Sequence, residues 1–286
     1  MPATSSPTVK RRRLAAELHA CRELADLTID DVADELEWSA AKISRIENAR
    51  VRVLPRDVKH LLRIYGVQEG SPEWELMLTL ARESREKGWW HAYGDSLVEG
   101  FRTYVGLEAD AQTVRSYESE YVPGLLQTED YAREVIGTGS LTASEAQVEN
   151  HVAVRMARQA RVAESRLPEL WVVINEGALR RQVGGPAVMR AQLDRLLEEG
   201  NRPHVTLQLM PFGIGAHPGM SGAFTMLSFP EPSDPDICYV PYNSGNLFLE
   251  KPEELARVAV IFNHLRAAAL SVNESRSAIS RLRQEL

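Results

Sequence analysis

The first 66 residues place apolar and polar positions with the period of amphipathic helices. Apolar side chains recur at intervals of three and four from Leu14 to Ala25, which predicts one helix whose buried stripe includes Cys21. The stretch "TIDDVADEL" predicts a second helix of only two turns, with Thr28 and Asp31 in a capping box. The chain therefore begins with short helices that need one another to bury their apolar faces.

Two further short helices follow the second one. Ser39 is a favourable N-cap for the helix "AAKISRIE", in which Ile43 and Ile46 lie on one inward face. Pro55 marks the first turn of the next helix, and Gly66 is suited to end it. Four or five short helices thus fit within about sixty residues.

Two short helices joined by a break of three residues are typical of a helix-turn-helix, whose second helix enters the DNA major groove. With Ile43 and Ile46 facing inward, Arg45 is placed to bond a guanine edge, the two alanines to touch thymine methyl groups, and Lys42 to meet a phosphate. The candidate DNA-contacting residues are Thr28, Ser39, Ala40, Ala41, Lys42, Ser44, Arg45, Arg50 and Arg52.

The pattern alone leaves a plainer alternative open, because any small helical bundle exposes lysines and arginines on a solvated face. The charge distribution favours the DNA interpretation. The chain as a whole has a net charge of -7, but residues 9–63 carry twelve Lys or Arg against ten Asp or Glu, and the rest carries 21 against 30. A locally basic segment in an acidic chain is consistent with a phosphate partner.

The remainder of the chain mixes apolar runs typical of strands with helical periodicity. "LWVVIN" and "HVTLQLMP" predict strands on either side of the helix "GPAVMRAQLDRLLEEG", and this succession indicates parallel pairing through a crossover. "AFTMLSF", "ICYV" and "LFLE" predict further strands, and "PEELARVAVIFNHLRAAAL" predicts a helix lying across the sheet. The predicted fold is an N-terminal all-α helix-turn-helix bundle plus a C-terminal α+β domain with a mixed sheet flanked by helices.

These patterns divide the chain into four segments. We predict a disordered tail at residues 1–8, a DNA-binding domain at 9–66, a connecting helix at 67–88 and an α+β sensor or partner-binding domain at 89–286. The basic start lacks the apolar stretch of a signal peptide, and no apolar run approaches the ~18 residues that a membrane span needs. Two cysteines far apart predict reduced thiols, and we expect a cytoplasmic protein without a membrane partner.

The C-terminal segment contains no familiar catalytic or metal-binding motif, so the sequence predicts neither an enzyme, a cofactor nor a metal. The aromatic stretch "GWWHAYGD" suits a core or interface anchor better than a ligand cage. Arg155, Arg158 and Arg161 are expected on a solvated face or in ion pairs with acidic neighbours. The glycine-rich "GIGAHPGMSG" is expected to be a flexible loop, on which His217 is the one residue worth examining.

The stretch "LTIDDVADELEWSAAKISRIENARVRVLPRDVKHLLRIYGV" resembles the Xre/Cro-type helix-turn-helix of actinobacterial transcriptional regulators. Three residues depart from that motif: Ile29 replaces a frequent Gln, His19 a frequent Arg, and Ala49 the usual Gly. A non-glycine residue at positive φ costs about 1 kcal/mol, so the turn at Ala49 is expected to be reshaped.

The stretches "GFRTYVGLEADA", "YVPGLLQTEDYA" and "LPELWVVINEGALRRQVGG" resemble the C-terminal domain of unknown function that follows such a helix-turn-helix in antitoxin-like regulators. The resemblance implies a non-enzymatic protein that binds double-stranded DNA and has a small companion protein encoded nearby. We expect a homodimer for a separate reason, since a single helix-turn-helix buries a small surface and reads few base pairs. Pro241 stands where relatives often carry an acidic residue, which puts one partner contact in question.

Two functions follow from these observations. The first is a sequence-specific transcriptional regulator whose C-terminal domain binds a partner protein or signal; dimerisation would add the binding free energies of two half-sites. The alternative is an antitoxin-like adaptor that mainly sequesters the companion protein, with DNA binding as autoregulation.

Overall fold

The computed structural model describes residues 6–97, 99–139, 142–164, 168–231, 234–243 and 245–286. It divides into two compact units, the first ending at His91 and the second beginning at Ala92, with Glu231 and Asp234 grouped with the first.

The first unit is an all-helical bundle, as the sequence predicts. Its helices are α1 (Pro7–Leu24), α2 (Ile29–Leu36), α3 (Ala40–Glu47), α4 (Pro55–Ile64) and α5 (Pro72–Glu83). One core joins all five, and Leu18, Val32, Ile43, Leu61 and Leu62 within it are fully buried. The predicted caps are confirmed, because the hydroxyl oxygens of Thr28 and Ser39 accept the N–H groups of residues 31 and 42.

Two of the predicted boundaries in this unit are wrong. Helix α1 begins at Pro7, where the Ser6 hydroxyl caps it by accepting the N–H of Val9, so residues 6–8 are not a tail; residues 1–5 lie outside the described part of the chain. Helix α5 is not a connector, since Trp74 and Leu78 are buried in the same core as α1 and α4. The two-turn helices α2 and α3 bury little surface of their own, and α5 completes their core.

Helices α1 to α4 all end in the same way. After each, the chain passes through one residue in the left-handed region, which allows two N–H groups to bond carbonyls of the last helical turn in a Schellman motif. The left-handed residues are Asp26 (φ 54°), Glu37 (52°), Ala49 (55°) and Gly66 (72°). The turn at Ala49 is therefore not reshaped, and only the end of α4 has the glycine that this conformation favours.

The second unit contains one six-stranded sheet and seven α-helices within the described residues. The helices are α6 (Glu99–Glu108), α7 (Glu129–Gly139), α8 (Glu145–Glu164), α9 (Glu176–Arg180), α10 (Gly185–Glu199), α11 (Pro252–Ala268) and α12 (Val272–Gln284). The strands are β1 (Thr113–Glu118), β2 (Glu169–Asn175), β3 (Val205–Met210), β4 (Phe224–Ser228), β5 (Ile237–Tyr242) and β6 (Gly245–Leu249). The α+β prediction with a mixed sheet is confirmed.

The strand order is β3-β2-β1-β4-β5-β6. Strands β1, β2 and β3 are parallel, with Val172 of β2 opposite Ser116 and Leu207, whereas β4 to β6 continue the sheet antiparallel. Helix α10 connects β2 to β3, as the predicted crossover requires. Helix α11 packs on the sheet through Phe262 and Leu265, which confirms the predicted helix across the sheet.

No single helix in the described ranges is long and apolar enough to cross a membrane. Helices α11 and α12 reach the length and apolar composition of a membrane span only when they are taken together, and the chain bends by 68° between them. Both cysteines are free thiols, and burial raises the pKa of Cys238 to about 12.

The prediction that the arginines of α8 lie on a solvated face is wrong for Arg158, because this residue is buried. Its guanidinium donates two hydrogen bonds to Glu108 of α6, at 2.7 and 2.8 Å, so the predicted ion pair forms with a distant partner. Tyr104 also donates its hydroxyl to Glu108, at 2.7 Å. This buried group ties α6 to α8 across one side of the unit.

Candidate nucleic-acid interface

The turn between α2 and α3 sets the direction in which α3 projects. Glu37 takes the left-handed conformation at the end of α2, and the N–H of Trp38 bonds the carbonyl of Ala33 at 2.9 Å. Ser39 then begins α3, whose inner face is held by Ile43 and by Ile46, which is 3% exposed. Two helices joined by three residues, with the second anchored through one face, form the helix-turn-helix that the sequence predicts.

The outer face of α3 carries Ala41, Ser44 and Arg45, which lie three or four residues apart and therefore on one side of the helix. Ala41 and Arg45 are exposed. Among the residues that the structure describes, the Arg45 guanidinium has no hydrogen-bond or ion-pair partner. Asn48 extends the same face, although its amide nitrogen is already bonded to the Ser44 carbonyl at 2.8 Å. Arg45 is therefore the side chain best placed to bond a base edge.

Three further candidates flank this face and suit contacts to phosphate. The Ser39 hydroxyl accepts the Lys42 N–H as a cap, which leaves its O–H free to donate. Arg50 follows α3 and is exposed, and its backbone N–H bonds the carbonyl of Arg45 at 2.8 Å. Arg52 is also exposed, with one guanidinium nitrogen 3.2 Å from the His91 ring.

Lys42 occupies a different place from the one predicted for a phosphate contact. Its ammonium lies 3.2 Å from Asp57 at the start of α4 and 3.1 Å from the centroid of the Trp38 ring. A cation between a carboxylate and an aromatic face is already well satisfied. Lys42 thus holds α3 to its neighbours, and it would have to leave both partners to reach DNA.

Two other candidates also have structural tasks. Ala40 is partly buried and packs against the bundle core, so it does not face outward as predicted. Thr28 uses both of its donors within the capping box: the backbone N–H and the hydroxyl each bond Asp31, at 2.8 and 2.6 Å. A phosphate would meet the Asp31 carboxylate there, which makes Thr28 a poor anion contact in this structure.

Sequence reasoning missed a buried polar group that fixes the end of α3. The Glu47 carboxylate is 2% exposed and accepts hydrogen bonds from Arg22 Nε, at 3.0 Å, and from the Tyr65 hydroxyl, at 2.9 Å. The His19 ring lies 3.1 Å from the same carboxylate. Burial and the adjacent Glu47 charge raise the pKa of Tyr65 well above its ordinary value. Helices α1, α3 and α4 thus meet at one carboxylate.

A signal for this group was present in the helical spacing. Glu47 lies four residues after the buried Ile43, and Arg22 lies four residues after the buried Leu18, so each charge continues an inward stripe. Opposite charges at inward positions of two helices indicate a buried pair, because a lone buried charge is too costly.

The aromatic and glycine-rich stretches singled out in the sequence lie outside the helix-turn-helix, in the interior or in loops. Trp90 is 4% exposed and meets Trp89 edge to face at 6.0 Å, which fits a packing role. His217 is partly buried, its ring lies 5.8 Å from that of Tyr117, and its Nδ1 lacks a hydrogen-bond partner among the described residues. The glycine-rich stretch around it forms two short 3₁₀ turns, at Phe212–Ile214 and Pro218–Ser221.

Comparison with known protein families agrees with this division of the chain. Residues 13–72 match the model of a helix-turn-helix domain, and residues 101–281 match that of a domain of unknown function, DUF5753. The chain belongs to the DUF5753 family. No curated protein and no solved structure matches it. In this DUF5753 protein the helix-turn-helix domain indicates a DNA-binding regulator, and the family match covers nearly all of the sheet-containing unit.

Proposed function

We propose that this DUF5753 protein is a sequence-specific transcriptional regulator whose first unit is an Xre/Cro-type DNA-binding domain. The observation that carries the proposal is the exposed face of α3, on which Arg45 has no partner among the described residues and Ala41 and Ser44 leave room for a base pair. An arginine bonded to the two acceptors on a guanine edge contributes about 1–3 kcal/mol of discrimination.

DNA binding is tested with the full chain and the DNA upstream of its own gene, by fluorescence anisotropy against a scrambled duplex at several salt concentrations. Arg45→Ala is expected to weaken the specific complex by about 1–3 kcal/mol and to reduce the preference for specific over scrambled DNA. Lys59→Ala is the matched control, because Lys59 is exposed on α4 and its loss removes the same charge away from α3.

Lys59→Ala should leave the sequence preference unchanged and, at most, lower the affinity for both duplexes alike. Equal losses on both duplexes for Arg45→Ala would refute a base contact at this position. Absence of any salt-sensitive complex with the upstream DNA would count against the regulator itself.

We further propose that the second unit binds a small companion protein and supports a homodimer, in the manner of antitoxin-like regulators. Large apolar side chains exposed on this unit support a protein contact: Met220 is 72% exposed, and Phe212 and Tyr242 are each 58% exposed. The alternative, an adaptor whose main task is to sequester that protein, shares the same surface. Both proposals assume a non-enzymatic, cytoplasmic protein.

Co-purification of the tagged chain with the product of the neighbouring small gene separates the two alternatives when combined with the DNA assay. A partner that releases the chain from DNA is expected for a regulator with a protein effector. A partner that binds without changing DNA affinity supports the adaptor.

A further inference from the structure

The second unit contains a pocket of about 240 Å³ at the end of the sheet where β2 and β3 begin. One side of the pocket is apolar and includes Met156 of α8, Leu170 of β2 and Val205 of β3. The other side is charged and includes Arg195 and Glu199 of α10 and Arg202 just after it. A small cavity with one apolar wall and a few convergent polar groups is typical of a ligand-binding site.

The charged side is built around one buried carboxylate. The Glu199 side chain is 7% exposed; Arg202 Nε lies 2.8 Å from its Oε2, and Arg195 Nη2 lies 2.8 Å from its Oε1. The two guanidinium groups are more open, with side chains 32% and 39% exposed. One carboxylate therefore orients two cations and neutralises only one of them.

The arginines also retain unused donors. Arg195 Nε is buried and has no hydrogen-bond partner in the described part of the chain. Because this nitrogen is closed to solvent, the donors available to a ligand are the terminal nitrogens of the two partly exposed guanidinium groups. The excess charge of one unit suits a monoanion, and the planar guanidinium matches a carboxylate geometrically.

We propose that this pocket binds a small carboxylate with an apolar body, such as a short fatty acid or an acyl-type metabolite. The carboxylate lies against Arg195 and Arg202, and the apolar body lies against Met156, Leu170 and Val205. The volume is below the ~300–1,000 Å³ of pockets for drug-sized molecules, which restricts the ligand to a smaller molecule. The inference is independent of DNA binding, because it concerns residues of the second unit alone.

Isothermal titration calorimetry of the full chain with octanoate tests the proposal, with octanol as the uncharged probe of equal length. We expect saturable one-to-one binding of octanoate and at least tenfold weaker binding of octanol. A tenfold difference in Kd corresponds roughly to the free energy that one charge-assisted hydrogen bond contributes. Arg195→Gln should weaken octanoate binding by about tenfold or more and leave octanol unaffected.

Two further variants separate the head group from the body of the ligand. Ala160 lines the pocket, so Ala160→Leu fills part of the volume and should weaken both probes while all charges remain. Arg283→Gln is the matched control, because this exposed arginine pairs with Asp194 outside the pocket lining and its loss should change neither affinity. Melting temperatures without ligand show that each variant is folded.

Octanoate that binds no more tightly than octanol, or that binds without saturation, would overturn the proposal. So would an Arg195→Gln variant that melts normally and keeps the wild-type affinity. Because no DNA is present, a failure here leaves the proposed regulator untouched, and a failure of DNA binding leaves the pocket untouched.

Discussion

Ala49 offers a direct test of how much the helix ends of the first unit contribute to its stability. It adopts φ 55° at the end of α3, with its N–H bonded to the carbonyl of Ile46 at 3.0 Å and the N–H of Arg50 bonded to that of Arg45 at 2.8 Å. A residue with a Cβ in this conformation costs roughly 1–2 kcal/mol. Glycine removes the steric cost but loses more chain entropy on folding, so Ala49→Gly should stabilise the unit by about 1 kcal/mol.

Gly66 provides the reverse experiment at the equivalent position of α4. It adopts φ 72°, its N–H bonds the carbonyl of Arg63 at 3.2 Å, and an added Cβ would meet no described atom within 4 Å. Gly66→Ala therefore introduces the conformational cost without a clash and should destabilise the unit by about 1 kcal/mol. The double variant, Ala49→Gly with Gly66→Ala, should return close to the wild-type value because the two sites lie on different helix ends.

Differential scanning calorimetry of the full chain measures the effect, and hydrogen exchange of the α3 and α4 amides assigns the change to the first unit. A gain of about 1 kcal/mol should raise the melting temperature of a unit of this size by roughly 4–8 °C. If Gly66→Ala lowers the melting temperature as expected but Ala49→Gly fails to raise it, Ala49 carries no strain and the reasoning is wrong.

Two further predictions concern buried charge. Glu47→Leu should lower the free energy of unfolding in urea by up to about 3–5 kcal/mol, because Arg22 loses its buried partner and keeps only the exposed Glu23 carboxylate, at 3.0 Å, as an ion-pair partner among the described residues. Adding Arg22→Leu should recover most of that loss, and additive losses would contradict a coupled pair. Burial raises the pKa of Glu118 to about 8, above its value in the unfolded chain, so the folded state loses stability as the pH rises from about 4.5 to 8. This decline in stability amounts to at most about 1.4 kcal/mol per pH unit, and Glu118→Gln should abolish it. The variant should therefore raise the melting temperature more at pH 8 than at pH 5, and equal increases at both pH values would contradict a raised pKa of Glu118.

The helices of the first unit could be predicted because their signals are local. The capping box at Thr28 and the cap at Ser39 depend on residues three positions apart, and the inward faces follow from a period of 3.6. The extra helix α5 was misassigned for a different reason. Its apolar stripe is visible in the sequence, but only the assembled bundle shows that Trp74 fills the core beneath α1 and α4.

In the second unit, the apolar runs predicted the strands and the intervening helix predicted parallel pairing. The partner of Arg158 escaped prediction because Glu108 lies fifty residues away, and the pair is known only once α6 and α8 pack. The same reason explains Lys42: its partner Asp57 belongs to another helix, so a helical wheel of α3 alone leaves the lysine facing outward.

The engagement of Lys42 with Asp57 and Trp38 has a consequence for specificity. Arg45 remains the one long side chain on the outer face of α3 without a partner among the described residues, and a single arginine–guanine contact supplies about 1–3 kcal/mol of discrimination. Specific binding usually exceeds non-specific binding by about 4–10 kcal/mol. Two symmetric copies of α3 would provide about 2–6 kcal/mol from this contact, which reaches only the lower part of that range. We therefore expect that an operator is recognised by two first units together, and that DNA shape or the arginines after α3 supply the rest.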